Sequence, residues 1–573
     1  MSKEVSLRIR IISGFLLILG VLLIVRLYFL QIIYSAYYQD KAERQYVHTA
    51  KDLYSRGNIY FTTKDGELVS AASIKFGYVL AINPAVIINP DDIYNKLTTY
   101  LTLSKETFID KANQKARTYI EIETQLDETA AGVIDAMDLP GVMLYRNQWR
   151  YYPGNELSAR AIGFVGYSDE YPDDLHGKYG LERFYDDVLV YNDTVLSVDF
   201  FAEIFSNFGN MVFDSKPSKT GSIVTTIEPT VARILDKILL DTQTKYSSQL
   251  TGGIIMNPQN GAIYAMNTIP TYNLNNRAKA TASDFQNPLV ENVYEFGSII
   301  KSLTMAAGLD SGAVVPSSTY YDAGSLTLNG YTIWNYDHRG RGTVSMQEVL
   351  NQSLNTGATY VMQQVGREKF LNYFLNLKLE SETGIDLPNE AQGLLQNFIN
   401  SPRDIEYATA SYGQGIAMTA MATTRALASL GNGGHLITPH LVSRIEYQDG
   451  TSKEINYPPG AQVFKSSTSE TISQMLTTVA DNALKGGLVS MPDHSFAAKT
   501  GTAQMSDPQT GKYYDDKYLH SFFGYFPSYD PKFLIFLYTV DPQGVQYASG
   551  TLTDPFMELT KFLINYYNVP PDR

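Results

Sequence analysis

Cysteine is absent from all 573 residues. That excludes disulfides, thiolate nucleophiles and cysteine-held metals, and it is compatible with a location outside the cytoplasm. Basic charge is in deficit: 45 Lys and Arg against 59 Asp and Glu leave a net charge of −14. A nucleic-acid-binding chain would need a basic face, and nothing here signals one. There is no internal repeat and no low-complexity tract. What remains is a folded chain, 44% hydrophobic and 18% charged. It is too long for one compact core, so two or three domains are expected.

Long apolar runs are confined to one place. The N-terminus carries Lys3, Arg8 and Arg10, and Ile11–Val25 is then uncharged and mostly apolar. Fifteen residues make about 22 Å of helix, short of a hydrocarbon core of about 30 Å. Continuing to Ile33 gives about 35 Å, enough to span, with Arg26 snorkelling outward or meeting a partner. Basic residues at the start predict a cytoplasmic N-terminus and an external body. The rival is a cleaved signal peptide. Tyr34 fits poorly at a small-x-small cleavage site, so the stretch is read as a single-pass, uncleaved membrane anchor.

Beyond it, residues 36–50 read as helix and residues 56–72 as a hairpin around "KDG". Residues 90–140 carry helical periodicity. The Ser-, Lys-, Pro- and Gly-rich "SKPSKTGS" at 215–222 marks a linker. After it come a strand, a helix and a hairpin around "NPQNG", then many helices, a late strand at 533–542 and a final helix. That order predicts an α+β fold, an antiparallel sheet flanked by helices. The domain division read from the sequence is 1–35 for tail and anchor, 36–220 for an extracytoplasmic domain, and 221–573 for the main domain.

Chemistry concentrates in three short motifs. "GSIIKS" places Ser298 and Lys301 three apart among isoleucines. A serine hydroxyl needs a base to become a nucleophile. A lysine can be that base when apolar burial and a second cation hold its amine neutral. The i, i+3 spacing predicts that both side chains share one helix face. The bland alternative is an amphipathic core helix with a snorkelling lysine. It loses ground because this Ser-x-x-Lys is unique in the chain and two further motifs follow. "NQSLNTGA" holds the Ser353–Asn355 pair, a proton relay and a carboxamide for substrate, unless the two merely cap a helix. "AAKTGTAQ" holds Lys499, Thr500, Gly501 and Thr502. It is expected as an edge strand that binds an anionic or peptide substrate, with Gly501 leaving room for close backbone approach. Lys499 would be the second cation beside Lys301. A decoy, Lys219-Thr220-Gly221, precedes the nucleophile and lies in the linker.

Ser-x-x-Lys, Ser-x-Asn and Lys-Thr-Gly in this order are the motif set of penicillin-binding proteins and class A β-lactamases. The chain resembles a class B penicillin-binding protein, a monofunctional peptidoglycan DD-transpeptidase. "TTIEPTVARIL", "GGIIMNPQNGAIYAMNTIPTYNLN", "ASYGQGIAMTAMATTRALASLGNGG" and "HSFFGYFPSYDPKFLIFLYTVDP" resemble its transpeptidase domain. "RGNIYFTTKDGELVSAA" and "YRNQWRYYPGNELSARAIGFVGY" resemble its elongated pedestal, a dimerisation and partner-binding domain. Three positions depart from the usual pattern: Phe296 stands for proline, Leu354 for serine and Ala498 for glycine.

The resemblance implies that Ser298 attacks the carbonyl between the last two D-alanines of a stem peptide while Lys301 takes its proton. It implies that Ser353 and Lys499 pass a proton to the leaving D-alanine, that Asn355 orients the peptide, and that Thr500 and Thr502 hold the terminal carboxylate. Backbone N–H groups of Ser298 and Thr502 would form the oxyanion hole. No metal or cofactor is implied. The implied partners are peptidoglycan stem peptides, β-lactams as covalent inhibitors, a SEDS-type glycan polymerase and other division or elongation proteins, with the division branch favoured. Alternatives remain open: a non-catalytic scaffold that activates the polymerase, or a DD-carboxypeptidase or β-lactamase relative that uses water as acceptor.

Overall fold

A computed structural model describes residues 56–167, 175–190, 220–401, 403–507 and 509–573. The expected anchor at 1–35, the helix at 36–50 and most of the 215–222 linker lie outside the described residues. Among the described residues no helix is long and apolar enough to cross a membrane. Packing divides the chain into two compact units, one comprising 74–149 and the other 56–73 together with 150–573.

In the smaller unit the second part of strand Leu68–Ile82 pairs antiparallel with Ile120–Leu126 and also pairs with Val142–Tyr151. Three short helices, Pro90–Leu97, Lys105–Ala112 and Glu128–Ala136, each begin at a polar cap. The Asn89, Ser104 and Asp127 side chains accept from the backbone N–H groups of Asp92, Thr107 and Ala130, satisfying donors that a helix start leaves free. Their apolar residues, Ile93, Leu97, Phe108 and Ile134 among them, close over Leu80, Ile82 and Leu126 as one core. The expected helical stretch at 90–140 therefore also contains a strand, Ile120–Leu126, whose "IEIETQL" alternates with period two.

In the larger unit the expected hairpin at 56–72 is present, with Ile59–Thr62 paired antiparallel to the start of Leu68–Ile82. Beside it lies a buried ion cluster. Glu182, fully buried, accepts from Arg56 Nε at 2.6 Å and Arg150 Nε at 2.7 Å. Replacing Glu182 by Gln would leave the buried Arg150 guanidinium facing a neutral amide, while Arg56 keeps Asp186 at 2.7 Å. A loss of about 3 kcal/mol is expected, read by urea unfolding of the purified protein.

The site is carried by a second, five-stranded sheet: β1 (Leu250–Met256), β2 (Ile263–Ile269), β3 (Ala497–Ser506), β4 (Tyr513–Phe526) and β5 (Phe533–Val540). The order is β3-β4-β5-β1-β2 and every pairing is antiparallel, as the α+β reading anticipated. β5, "FLIFLYTV", is buried throughout because helices cover both faces. On one face lie α1 (Pro229–Tyr246) and the last helix, Thr553–Tyr567, whose Phe556 stacks on Phe522 at 4.5 Å. On the other lie α2 (Lys301–Asp310), α3 (Asn355–Val365) and α4 (Ser466–Thr478), with Ser473 of α4 hydrogen-bonded to Tyr525 of β4. α2 is buried almost all round, so it forms the axis of this layer. The decoy glycine, Gly221, opens a strand of the other sheet, paired with Tyr447.

Candidate active site

The chain enters α2 through a 3₁₀ turn, Gly297–Ile300. Gly297 has φ +64°, and a Cβ there would stand 2.6 Å from the Thr502 carbonyl oxygen. Its N–H donates to Gly413 O at 3.2 Å. On the strand side, a Cβ at Gly501 would stand 2.4 Å from the Phe296 carbonyl oxygen. Two missing side chains thus let the serine turn and edge strand β3 meet backbone to backbone. Phe296, where proline was anticipated, is buried and packs edge-on against Phe536 at 5.1 Å. Its carbonyl accepts from Ser521 Oγ at 2.7 Å. The bulky ring pins the turn to the sheet by packing.

Ser298 is half-buried at the mouth of this turn, between the fully buried Phe296, Ile299 and Ile300. Lys301 opens α2 and is only 1% exposed. The two side chains were expected to share a helix face. The turn between them is 3₁₀, which lines up positions three apart, and the Lys301 amine donates to Ser353, at 2.5 Å to the carbonyl and 3.2 Å to Oγ. Lys499, 2% exposed on β3, donates to the same Ser353 Oγ at 3.0 Å. One hydroxyl therefore sits between two buried amines drawn from different parts of the chain.

Ser353 itself is held at φ +53°, a region costly for a residue with a Cβ. There its carbonyl and hydroxyl both receive the Lys301 amine. The capping alternative for Ser353 and Asn355 does not hold: α3 begins at Asn355, and its capping position is Leu354, which has no side-chain oxygen. Asn355 Nδ2 donates to the Trp334 carbonyl at 2.8 Å.

Burial dominates the electrostatics. It drives the Lys301 amine well below its ordinary pKa of 10.5, with the Lys499 charge adding to the effect. Burial also brings Lys499 down to about 7. Both influences on Lys301, burial and the neighbouring cation, act in the direction that favours the neutral amine.

Alternation along β3 puts Lys499 and Gly501 on the face toward α2, and Thr500 and Thr502 on the opposite parity. Thr502 Oγ1 accepts from Ala548 N at 3.1 Å. The Thr500 carbonyl accepts from Lys499 Nζ at 3.1 Å.

Supporting residues escaped the sequence reading. Asp322, 1% exposed, accepts from Asn335 Nδ2 at 2.9 Å and Thr356 Oγ1 at 2.8 Å. This ties the first turn of α3 to the loop that carries Trp334. The partners lie 13 and 34 positions from Asp322, with no local motif to announce them.

Comparison with known proteins follows the same lines. A family profile described as "Penicillin binding protein transpeptidase domain" matches residues 251–560, and one described as "Penicillin-binding Protein dimerisation domain" matches 52–197. Stage V sporulation protein D of Bacillus subtilis is 28% identical over 89% of this chain and 79% of its own length. A peptidoglycan D,D-transpeptidase FtsI homolog of Mesostigma viride is 27% identical over 100% of this chain and 96% of its own. Among solved structures, penicillin-binding protein 2X of Streptococcus thermophilus superimposes with a TM-score of 0.70 at 19% identity, covering 90% of this chain and 80% of that one.

Proposed function

Because the chain belongs to the penicillin-binding protein transpeptidase family, as a class B member, we propose that Ser298 is the nucleophile through which it cross-links peptidoglycan. The enzyme is a peptidoglycan D,D-transpeptidase. In the reading offered here, Lys301 Nζ accepts the Ser298 Oγ proton as the oxygen attacks the penultimate D-alanine carbonyl carbon. The carbonyl oxygen of the substrate then carries the negative charge, held between the N–H groups of Ser298 and Thr502. The peptide C–N bond breaks, and the leaving amine receives a proton from Lys301 by way of Ser353 Oγ and Lys499. An amine of a neighbouring stem peptide attacks the resulting ester, returns the proton along the same path and frees Ser298.

The observation that carries this assignment is Ser353 Oγ lying within 3.2 Å of Lys301 and 3.0 Å of Lys499, both buried. That is a relay between an amine whose pKa burial drives well below 10.5 and one brought down to about 7. Asn355, fixed at Trp334, orients the donor peptide, and Thr500 and Thr502 receive its carboxylate. Thr502 Oγ1 accepts from Ala548 N and keeps its O–H to donate to that carboxylate. We place the protein in the cell membrane through residues 1–35, with 36–220 as pedestal and 221–573 as catalytic domain. A SEDS-type polymerase is the partner proposed for the membrane and pedestal segments, in septal rather than lateral wall synthesis.

The test is mass spectrometry after benzylpenicillin treatment. One penicillin should be added per chain, and the modified peptide should carry it on Ser298. A folded protein with no adduct, or with the adduct elsewhere, overturns the assignment. Supplying a donor stem peptide together with an amine acceptor should give cross-linked product in excess of hydrolysed donor.

A further inference from the structure

Three positions before the nucleophile, Glu295 joins elements that the mechanism leaves unconnected. Its Oε1 accepts from Gly415 N at 3.0 Å, in the loop behind the serine turn. Its carboxylate also accepts from Tyr513 OH, at 2.9 Å to Oε2 and 3.1 Å to Oε1. Tyr513 is the first residue of β4, opposite Ser506, where the β3–β4 hairpin runs beyond the body of the sheet. The register is irregular between Gln504 and Ser506, so pairing alone holds this outer end loosely. Toward the sheet, the same hairpin carries Lys499 and Thr502.

We propose that Glu295 is a positioning residue, a latch that clamps the outer end of the β3–β4 hairpin to the nucleophile turn and so holds the edge strand in register with Ser298. The role goes beyond the nucleophile assignment and rests on it for its catalytic consequence. The carboxyl is a chemically sensible latch because it bonds two elements at once. It faces the Tyr513 and Tyr412 hydroxyls and the Gly415 amide, and these are the groups that act on it among the described residues. Covered in this way, it is pushed up to about 7, burial being the main cause. Lifting the hairpin would return it toward its ordinary value of 4.5. The latched state therefore holds its proton more tightly than the open one, and raising the pH through 7 favours release.

The experiment uses the full chain in detergent and three variants, Glu295→Ala, Glu295→Gln and Tyr513→Phe. Hydrogen exchange of the amides at 513–518, corrected for intrinsic rate, reads the latch without any acylation. In the parent protein, protection should fall between pH 6 and pH 8. Glu295→Gln, which keeps an acceptor but cannot ionise, should make protection independent of pH and hold acylation within about threefold. Glu295→Ala and Tyr513→Phe should raise exchange at 513–518 and slow acylation by fluorescent penicillin by about tenfold. Their combination should cost no more than Glu295→Ala alone. Tyr513 is 41% exposed, so its loss of a hydroxyl does not threaten folding. Unchanged exchange and acylation in Tyr513→Phe, or the same pH trend in Glu295→Gln, would overturn the latch. Absence of label on Ser298 in the parent protein would sink the nucleophile assignment and leave the exchange result standing.

Discussion

Replacing Lys301 by methionine is expected to slow acylation by benzylpenicillin about a thousandfold, equal to about 4 kcal/mol of barrier, while making the protein more stable. The opposite signs come from one cause. The amine is buried beside a second lysine, and both effects push its pKa well below 10.5. Folding therefore weakens the amine's hold on a proton that the unfolded chain keeps. For a lysine with a lowered folded-state pKa, the unfolded chain binds more protons up to pH 10.5, so stability rises with pH across that window. Methionine fills a similar volume and has no proton to lose. Its gain should be on the order of 1–3 kcal/mol near pH 7 and shrink as the pH nears 10.5. Acylation rates from stopped-flow fluorescence and urea midpoints at pH 7 and pH 9.5 check the two halves separately. A variant that loses both activity and stability would mean that Lys301 is a structural ion held by Ser353, not a base kept neutral at a cost.

The three motifs were legible because each reacting group is tied to its neighbours in sequence by a turn or strand whose chemistry is local. Ser298 and Lys301 flank two buried isoleucines, and Lys499 alternates with Gly501 along a strand expected to be an edge and found as one. The 3₁₀ turn at Gly297–Ile300 keeps positions three apart in line. What the spacing does not announce is that the Lys301 amine also reaches Ser353, 52 residues away. Glu295 and Tyr513 are separated by 218 residues, and Asp322 finds Asn335 and Thr356 across a loop and a helix start. Each of these is an ordinary polar residue until the fold pairs it. Phe296 shows the converse. In sequence it is only a departure from the proline of the usual pattern. In the folded chain it is a buried ring against Phe536 and Tyr538, compensating by packing for the backbone restraint that proline would bring.

Gly297→Ala should be the most damaging single-methyl change near the site. Its φ of +64° costs any residue with a Cβ about 1 kcal/mol or more. The new atom would also stand 2.6 Å from the Thr502 carbonyl oxygen and 2.8 Å from its carbonyl carbon. Backbone cannot rotate away as a side chain can. Either the serine turn or β3 must shift, and β3, paired on one side only, is the element free to move outward. That motion would separate the N–H groups of Ser298 and Thr502, the two donors assigned to the oxyanion. A loss of about a hundredfold in acylation is expected, with about 2–4 kcal/mol of stability. Gly312 supplies the control: its φ is +73°, but nothing lies within 4 Å of where a Cβ would be. Gly312→Ala should therefore cost only the conformational term, about 1 kcal/mol, and leave acylation untouched. Thermal unfolding and penicillin acylation measured on both variants separate the collision from the backbone preference. If the two alanines behaved alike, close approach between the turn and the strand would not be what sets the geometry of the site.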